Sequence, residues 1–191
     1  AIPDGGPALF VEIAGTPAAT AEHLALFTDI VAAENGRWIS EESSDHDRRT
    51  LWKARHEAFW SVRSAFPGKS FHVTDVCVPV SRLADCLDET VADLAASGLT
   101  APIVGHVGDG NFHAILVFDA GDAEACSAAT AYLDRLAARA IAMEGTCTGE
   151  HGIGQGKAKY LAAEAGTALD VMRRVKASLD PSGLMNPGKI F

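Results

Sequence analysis

The chain has 191 residues, 48% of them hydrophobic and 21% charged, with a formal net charge of −9. That length suits one domain or two small halves sharing a core. The acidic balance argues against a nucleic-acid or anionic-membrane partner, because both need a basic face.

The chain opens AIPDGGPALFVEIAG without an initiator Met, and it reads as a piece cut from a longer protein. No run approaches the roughly 18 apolar residues of a membrane span, and no signal peptide is recognised. Leu9, Val11 and Ile13 alternate, so residues 8–14 are predicted to form a strand. A helix follows, with Thr16 as N-cap, Pro17 at its first position, Gly36 at its end and Leu24, Phe27 and Val31 on its inner stripe. The segment RWISE predicts a short strand, and SSDHDRR (43–49) opens a second helix over 46–65, ended by Pro67-Gly68. Arg55 lies on this helix within the apolar stripe of Leu51, Phe59 and Val62. A guanidinium there needs an anion, either a structural carboxylate or a substrate carboxylate held bidentately. His56, between Trp52 and Trp60, reads as a packed surface histidine.

Residues 71–79 predict a strand. Residues 81–98 predict a helix capped by Ser81, with Leu83, Leu87, Val91 and Leu94 inward and Gly98 as its stop. Strands are predicted over 102–107 and 111–118. Residues 122–144 predict a helix with Ala129, Tyr132, Leu136, Ala140 and Met143 on one face, and GTCTG follows as a short extended piece. The order is β-α-β-β-α-β, so the fold class is α+β with a ferredoxin-like core and an antiparallel sheet. The first 65 residues can supply a second, partial copy. The organisation expected is a first partial subdomain (1–66), a ferredoxin-like half (67–150) and a tail (151–191). That tail holds one or two helices over 157–180 and ends in the irregular DPSGLMNPGKIF. Cys77, Cys86, Cys126 and Cys147 form no CxxC pair and read as reduced and mostly buried.

Two loops carry the chemistry. In GHVGDGNFH (105–113), a two-residue Asp109-Gly110 hairpin turn pairs 106 with 113. His106 and His113 are then cross-strand neighbours with Cβ atoms about 4.5–5.5 Å apart, close enough to share a metal ion. The alternative is a solvated or hydrogen-bonded histidine pair. In GTCTGEHGIGQGK (145–157), Glu150-His151 sits between glycines after a predicted strand, which is costly to order. An exposed Gly-rich turn is the alternative there. Together the loops offer His106, His113 and Glu150 as three ligands with an open position, and His151 to spare, as in catalytic rather than structural metal sites. Imidazole plus carboxylate suits zinc, manganese or iron. In LMNPGK, Asn186 and Lys189 serve either as a C-terminal anchor or as a cofactor contact.

GHVGDGNFH, GTCTGEHGIGQGK and DPSGLMNPGK, in that order, resemble the C-terminal domain of FAD-linked oxidases of the vanillyl-alcohol-oxidase type. LWKARHEAFW followed by TDVCVPVSRL is most similar to the cytochrome-dependent D-lactate dehydrogenases within that group. The resemblance covers about residues 8–191. It implies that an N-terminal FAD-binding domain lies outside this chain and that the chain caps the flavin and holds the substrate. It implies His106, His113 and Glu150 as ligands of a divalent metal, zinc or manganese, His151 as the base, and Arg55 as the substrate-carboxylate binder. Asn111, Asn186 and Lys189 are the expected cofactor contacts. Relatives acting on 2-hydroxyglutarate place a threonine and a lysine near the substrate; Phe59 and Val73 stand here, which favours lactate-like acids.

The function implied is oxidation of a D-2-hydroxy acid to a 2-oxo acid with hydride transfer to FAD, and the fragment by itself is expected to be inactive. The implied partners are a small 2-hydroxy acid, an electron acceptor such as a cytochrome, a quinone or an electron-transfer flavoprotein, and a second copy in a homodimer. The expected place is the cytoplasm or the periphery of the inner membrane. The alternatives are glycolate or D-2-hydroxyglutarate as substrate, a stand-alone metallohydrolase using His106, His113 and Glu150, and a non-catalytic metal-binding module.

Overall fold

Strand β4 (Asn111–Phe118) organises the sheet. In the computed structural model, which describes residues 6–41 and 44–191, the chain divides into two compact units, Ala1–Ser61 and Val62–Phe191. β4 (Asn111–Phe118) lies in the second unit and pairs antiparallel on one side with β3 (Ile103–His106). On its other side it pairs with β1 (Ser70–Val73) and then β2 (Val76–Cys77). β1 and β2 share one register, Val73 opposite Ile115 and Val76 opposite Phe112. They are thus one strand interrupted at Thr74-Asp75. Thr146 adds a single antiparallel bridge to Cys77. The result is an α+β fold with a small antiparallel sheet.

Alternation along β4 decides which face is core. Phe112, Ala114 and Leu116 pack with Leu83, Cys86 and Leu94 of α4 (Leu83–Ser97) and with Ala129, Tyr132, Leu136 and Ala140 of α5 (Ala123–Ala142). The opposite face of β4 carries Asn111, His113, Ile115 and Val117, all buried. Asp122 caps α5 by accepting from the N–H groups of Glu124 and Ala125. Gly98 ends α4 at φ +64. The two helices are strapped by Asp93, which takes Arg135 at 2.7 Å and Arg139 at 2.9 Å.

Helix α4 departs from its predicted face and cap. A 3-10 turn over Val80–Arg82 precedes it, and Ser81 makes no capping bond. Its buried stripe runs Leu83, Cys86, Thr90, Leu94, while Val91 is 54% exposed. The reason is polar. Thr90 turns inward to meet the Arg139 guanidinium at 3.2 Å, a contact that a hydrophobicity pattern does not register.

The first unit holds α1 (Pro17–Ala33) and α2 (Asp45–His56). α3 (Ala58–Ala65) follows α2, so the helix predicted over 46–65 is broken at Glu57. Thr16 caps α1 as its sequence predicts. No strand forms among the described residues of this unit, so the strands predicted over 8–14 and at RWISE are corrected to extended chain. Alternation alone does not make a strand; a partner must take the backbone groups. Leu9 and Ile39 are correspondingly 69% and 55% exposed. The second partial copy loses its predicted strands with them.

The tail carries α6 (Leu161–Ala165) and α7 (Ala168–Leu179). Asp180 then accepts from the N–H groups of Leu184 and Met185 and pairs with Lys176, which folds the irregular end back.

Candidate functional site

The interruption between β1 and β2 is where the site is built. Asp75 falls opposite His113 in the shared register, and its side chain is fully buried. Five donors converge on its carboxylate. They are the Asn111 amide at 3.0 Å, the Thr148 hydroxyl at 3.0 Å, the N–H of Glu150 at 3.2 Å, the N–H of His151 at 2.9 Å and the Lys157 ammonium at 3.1 Å. Lys157 also donates to the Asp75 carbonyl at 2.8 Å. Burial by itself pushes the Asp75 carboxyl up. The His151 N–H, the Asn111 amide and Lys157 outweigh it and hold the group well below the usual carboxylate range.

Asp75 thereby anchors the loop 145–157. The loop starts with Thr146 bridged to Cys77 and approaches the sheet at Gly149. A Cβ on Gly149 would lie 1.9 Å from the Asn111 amide nitrogen, so only glycine admits the loop this closely. The next two N–H groups, those of Glu150 and His151, grip Asp75 and aim both side chains at His113.

There His113 and His151 stack with ring centroids 5.2 Å apart and planes 8° from parallel. His113 Nε2 stands 3.0 Å from Glu150 Oε1, and His151 Nε2 stands 3.8 Å from the same oxygen. His113 Nδ1 lies 2.8 Å from the Thr74 carbonyl. A carbonyl only accepts, so Nδ1 carries a proton and donates, and Nε2 is left to face Glu150. Two acceptors that close need a proton or a cation between them. Imidazole nitrogen and carboxylate oxygen are also the donor set that divalent zinc or manganese takes.

One donor atom each from Asp75, His113 and His151 can lie within 4.8 Å of one another. The Asp75 oxygens, however, are already taken by the five donors. The free lone pairs are those of His113, His151 and Glu150, and these fit a cation better.

The structure changes the predicted hairpin. His106 lies opposite Asn111, and Val104 lies opposite His113. Residues 107–109 form a 3-10 turn closed by Gly110 at φ +74, giving a four-residue connection in place of a two-residue turn. A Cβ on Gly110 would lie 1.9 Å from the Val78 carbonyl, so contact with the chain after β2 sets the turn. The direct cross-strand pairing of His106 with His113 is therefore corrected. They share a face diagonally, and His106 is exposed. Arg55 is half-buried on α2, in the first unit, and His56 beside it stacks on Trp52. Asn111 is 6% exposed, with its amide nitrogen committed to Asp75 and the Val76 carbonyl. Its oxygen is buried with no hydrogen-bond partner among the described residues. Asn186 adopts φ +48 and accepts from the Lys189 N–H, while the Ile190 N–H reaches the carbonyl of Gly154 in the site loop.

Asp75, Thr148 and Lys157 are site residues that sequence reasoning missed. The signal available was an aspartate inside FHVTDVCVP, since a carboxylate within an apolar strand needs partners. The cysteines are free, and burial pushes the Cys147 thiol up to about 12, Glu164 adding to it, so this thiol stays protonated and inert.

The family model for FAD linked oxidases, C-terminal domain, matches residues 1–190. The chain belongs to that family. The FAD linked oxidase C-terminal domain described here is 45% identical over 186 residues to a probable mitochondrial D-lactate dehydrogenase of Danio rerio. It is 40% identical over 186 residues to a mitochondrial D-lactate dehydrogenase [cytochrome] of Arabidopsis thaliana. The matches cover 97% of this chain and 37% and 33% of those proteins, so the chain spans about a third of their length. A 4-ethylphenol oxidase from Gulosibacter chungangensis shares the fold, with a TM-score of 0.55 at 19% identity over 92% of this chain and 37% of that one. No helix among the described residues is long and apolar enough to cross a membrane.

Proposed function

We propose that this domain is the substrate- and metal-binding part of a flavin-dependent dehydrogenase that oxidises D-lactate or a similar D-2-hydroxy acid to the 2-oxo acid. The observation that carries the proposal is the approach of His113 Nε2 and His151 Nε2 to the same oxygen, Glu150 Oε1, in a chain related to D-lactate dehydrogenases. Bound FAD supplies the hydride acceptor, and a divalent ion held by His113 and Glu150 supplies Lewis acidity toward the substrate hydroxyl.

The residues of this chain then divide the work. His151, 49% exposed at its side chain and fixed through its backbone by Asp75, takes the hydroxyl proton. Arg55 binds the carboxylate with its planar fork and orients the Cα hydrogen. His106 serves as a further ligand, since diagonal neighbours on one sheet face remain within reach of long side chains. The Asn111 amide holds Asp75 and lies against Gly149, and Asn111, Asn186 and Lys189 provide the contacts toward the cofactor. FAD is held mainly by chain outside these 191 residues, and the isolated domain does not turn over. The electron acceptor is a cytochrome, the word carried in the Arabidopsis relative's name. The sheet order, with Thr146 bridged to the first strand, supports a ferredoxin-like reading of the second unit.

The test is anaerobic mixing of the full-length flavoprotein with D-lactate, L-lactate, glycolate and D-2-hydroxyglutarate, followed by cytochrome addition. Flavin bleaching that is fastest with D-lactate and reverses on adding cytochrome is expected. Bleaching by none of the four acids would overturn the proposal.

A further inference from the structure

We propose that Thr74 is a positioning residue that fixes the tautomer of His113 and so selects the nitrogen offered to the metal. The proposal rests on the reading of His113 as a ligand. In an antiparallel ladder a hydrogen-bonded pair exchanges two backbone bonds. Thr74 and Ala114 make the first in the ordinary way, Thr74 N–H donating to the Ala114 carbonyl at 3.0 Å. The return bond is diverted. The Ala114 N–H donates to the Thr74 hydroxyl oxygen at 2.8 Å. The Thr74 carbonyl is thereby released, and His113 Nδ1 donates to it at 2.8 Å. Thr74, Ala114 and His113 are 3%, 0% and 7% exposed, so solvent does not compete for these bonds.

One hydroxyl thus does three things. It satisfies a buried N–H, it interrupts the ladder between β1 and β2 where Asp75 must turn in, and it frees a carbonyl to hold the imidazole. With Nδ1 protonated and held, Nε2 presents its lone pair toward Glu150 Oε1. A residue without a hydroxyl cannot substitute. The Ala114 N–H would then either reclaim the carbonyl from His113 or remain buried and unpaired. Ligating histidines are oriented in this way by the partner of their second ring nitrogen. Here the side chain at the strand break itself makes that partner available.

The experiment uses full-length protein stripped of metal and titrated with Zn²⁺ against a chromophoric chelator, for wild type, Thr74→Ala and Thr74→Ser. Thr74→Ala is expected to weaken Zn²⁺ binding about 10–100-fold, with Thr74→Ser within roughly threefold of wild type. Equal affinity in wild type and Thr74→Ala overturns the proposal, as does a serine variant as weak as the alanine one. A second measurement needs no variant at position 74. Nitrogen-15 histidine spectra of the metal-free wild type, with His113 assigned by its loss in His113→Gln, should show the Nδ1–H tautomer. An Nε2–H tautomer overturns the proposal. Wild type that binds no Zn²⁺ sinks the metal reading of the site, while the tautomer still decides the role of Thr74.

Discussion

His113 and Glu150 meet at 3.0 Å, imidazole Nε2 to carboxylate oxygen, although 37 residues separate them in the chain. The loop that delivers Glu150 is held by Asp75, and the strand that delivers His113 also pairs with the segment containing Asp75. One buried carboxylate therefore sets both partners.

Ligand deletion separates the roles proposed for this cluster. Full-length protein carrying His113→Ala or Glu150→Ala should lose metal affinity by tenfold or more, in the range seen when a metal's surroundings are cut. His151→Ala should keep its metal and lose about 10²–10⁴ in rate. Elemental analysis beside steady-state kinetics checks both. Retained metal in His106→Ala together with loss in His151→Ala would move the third ligand from His106 to His151.

Asp75→Asn should cost on the order of 3 kcal/mol of stability, since it leaves the Lys157 charge without its carboxylate and turns an amide toward N–H donors. The pH dependence has a definite sign. The folded value of Asp75 lies below its ordinary 3.8. Its stabilisation is therefore present above that pH and is lost as the pH falls below it toward the folded value. Urea unfolding between pH 6 and pH 2 should show a shallower acid loss in the variant than in wild type, and equal slopes would refute the anchoring role.

Gly149→Ala should destabilise by at least about 1–3 kcal/mol, because its methyl would overlap the Asn111 amide. The loop must retreat, so metal content should fall with it. Unchanged metal occupancy would show that Glu150 reaches His113 without this close approach.

Arg55→Lys in the full-length enzyme should lower kcat/KM by more than about tenfold and raise KM, because a point charge replaces a planar fork. Near-wild-type kinetics with D-lactate would return Arg55 to a structural ion pair.

The sequence by itself determined the elements whose signal is local. β4 runs over 111–118 as its apolar run and flanking turn predict, and α5 buries the predicted Ala129, Tyr132, Leu136 and Ala140. It also singled out His113, Glu150 and His151, which the fold brings together, because they sit in glycine-bounded motifs that have little packing reason to exist. Tertiary structure decided the rest. The hairpin register depends on Gly110 pressing against the Val78 carbonyl, and that contact places His106 opposite Asn111. The strands expected in the first unit depend on partners that alternation cannot supply. Asp75 shows in the sequence as a carboxylate within an apolar strand, with nothing beside it to say what its partners are. Its donors arrive from Asn111, 36 positions on, and from Thr148, Glu150, His151 and Lys157, 73 to 82 positions on. Periodicity records what neighbours along the chain share, whereas a buried carboxylate is satisfied by whatever the fold brings to it.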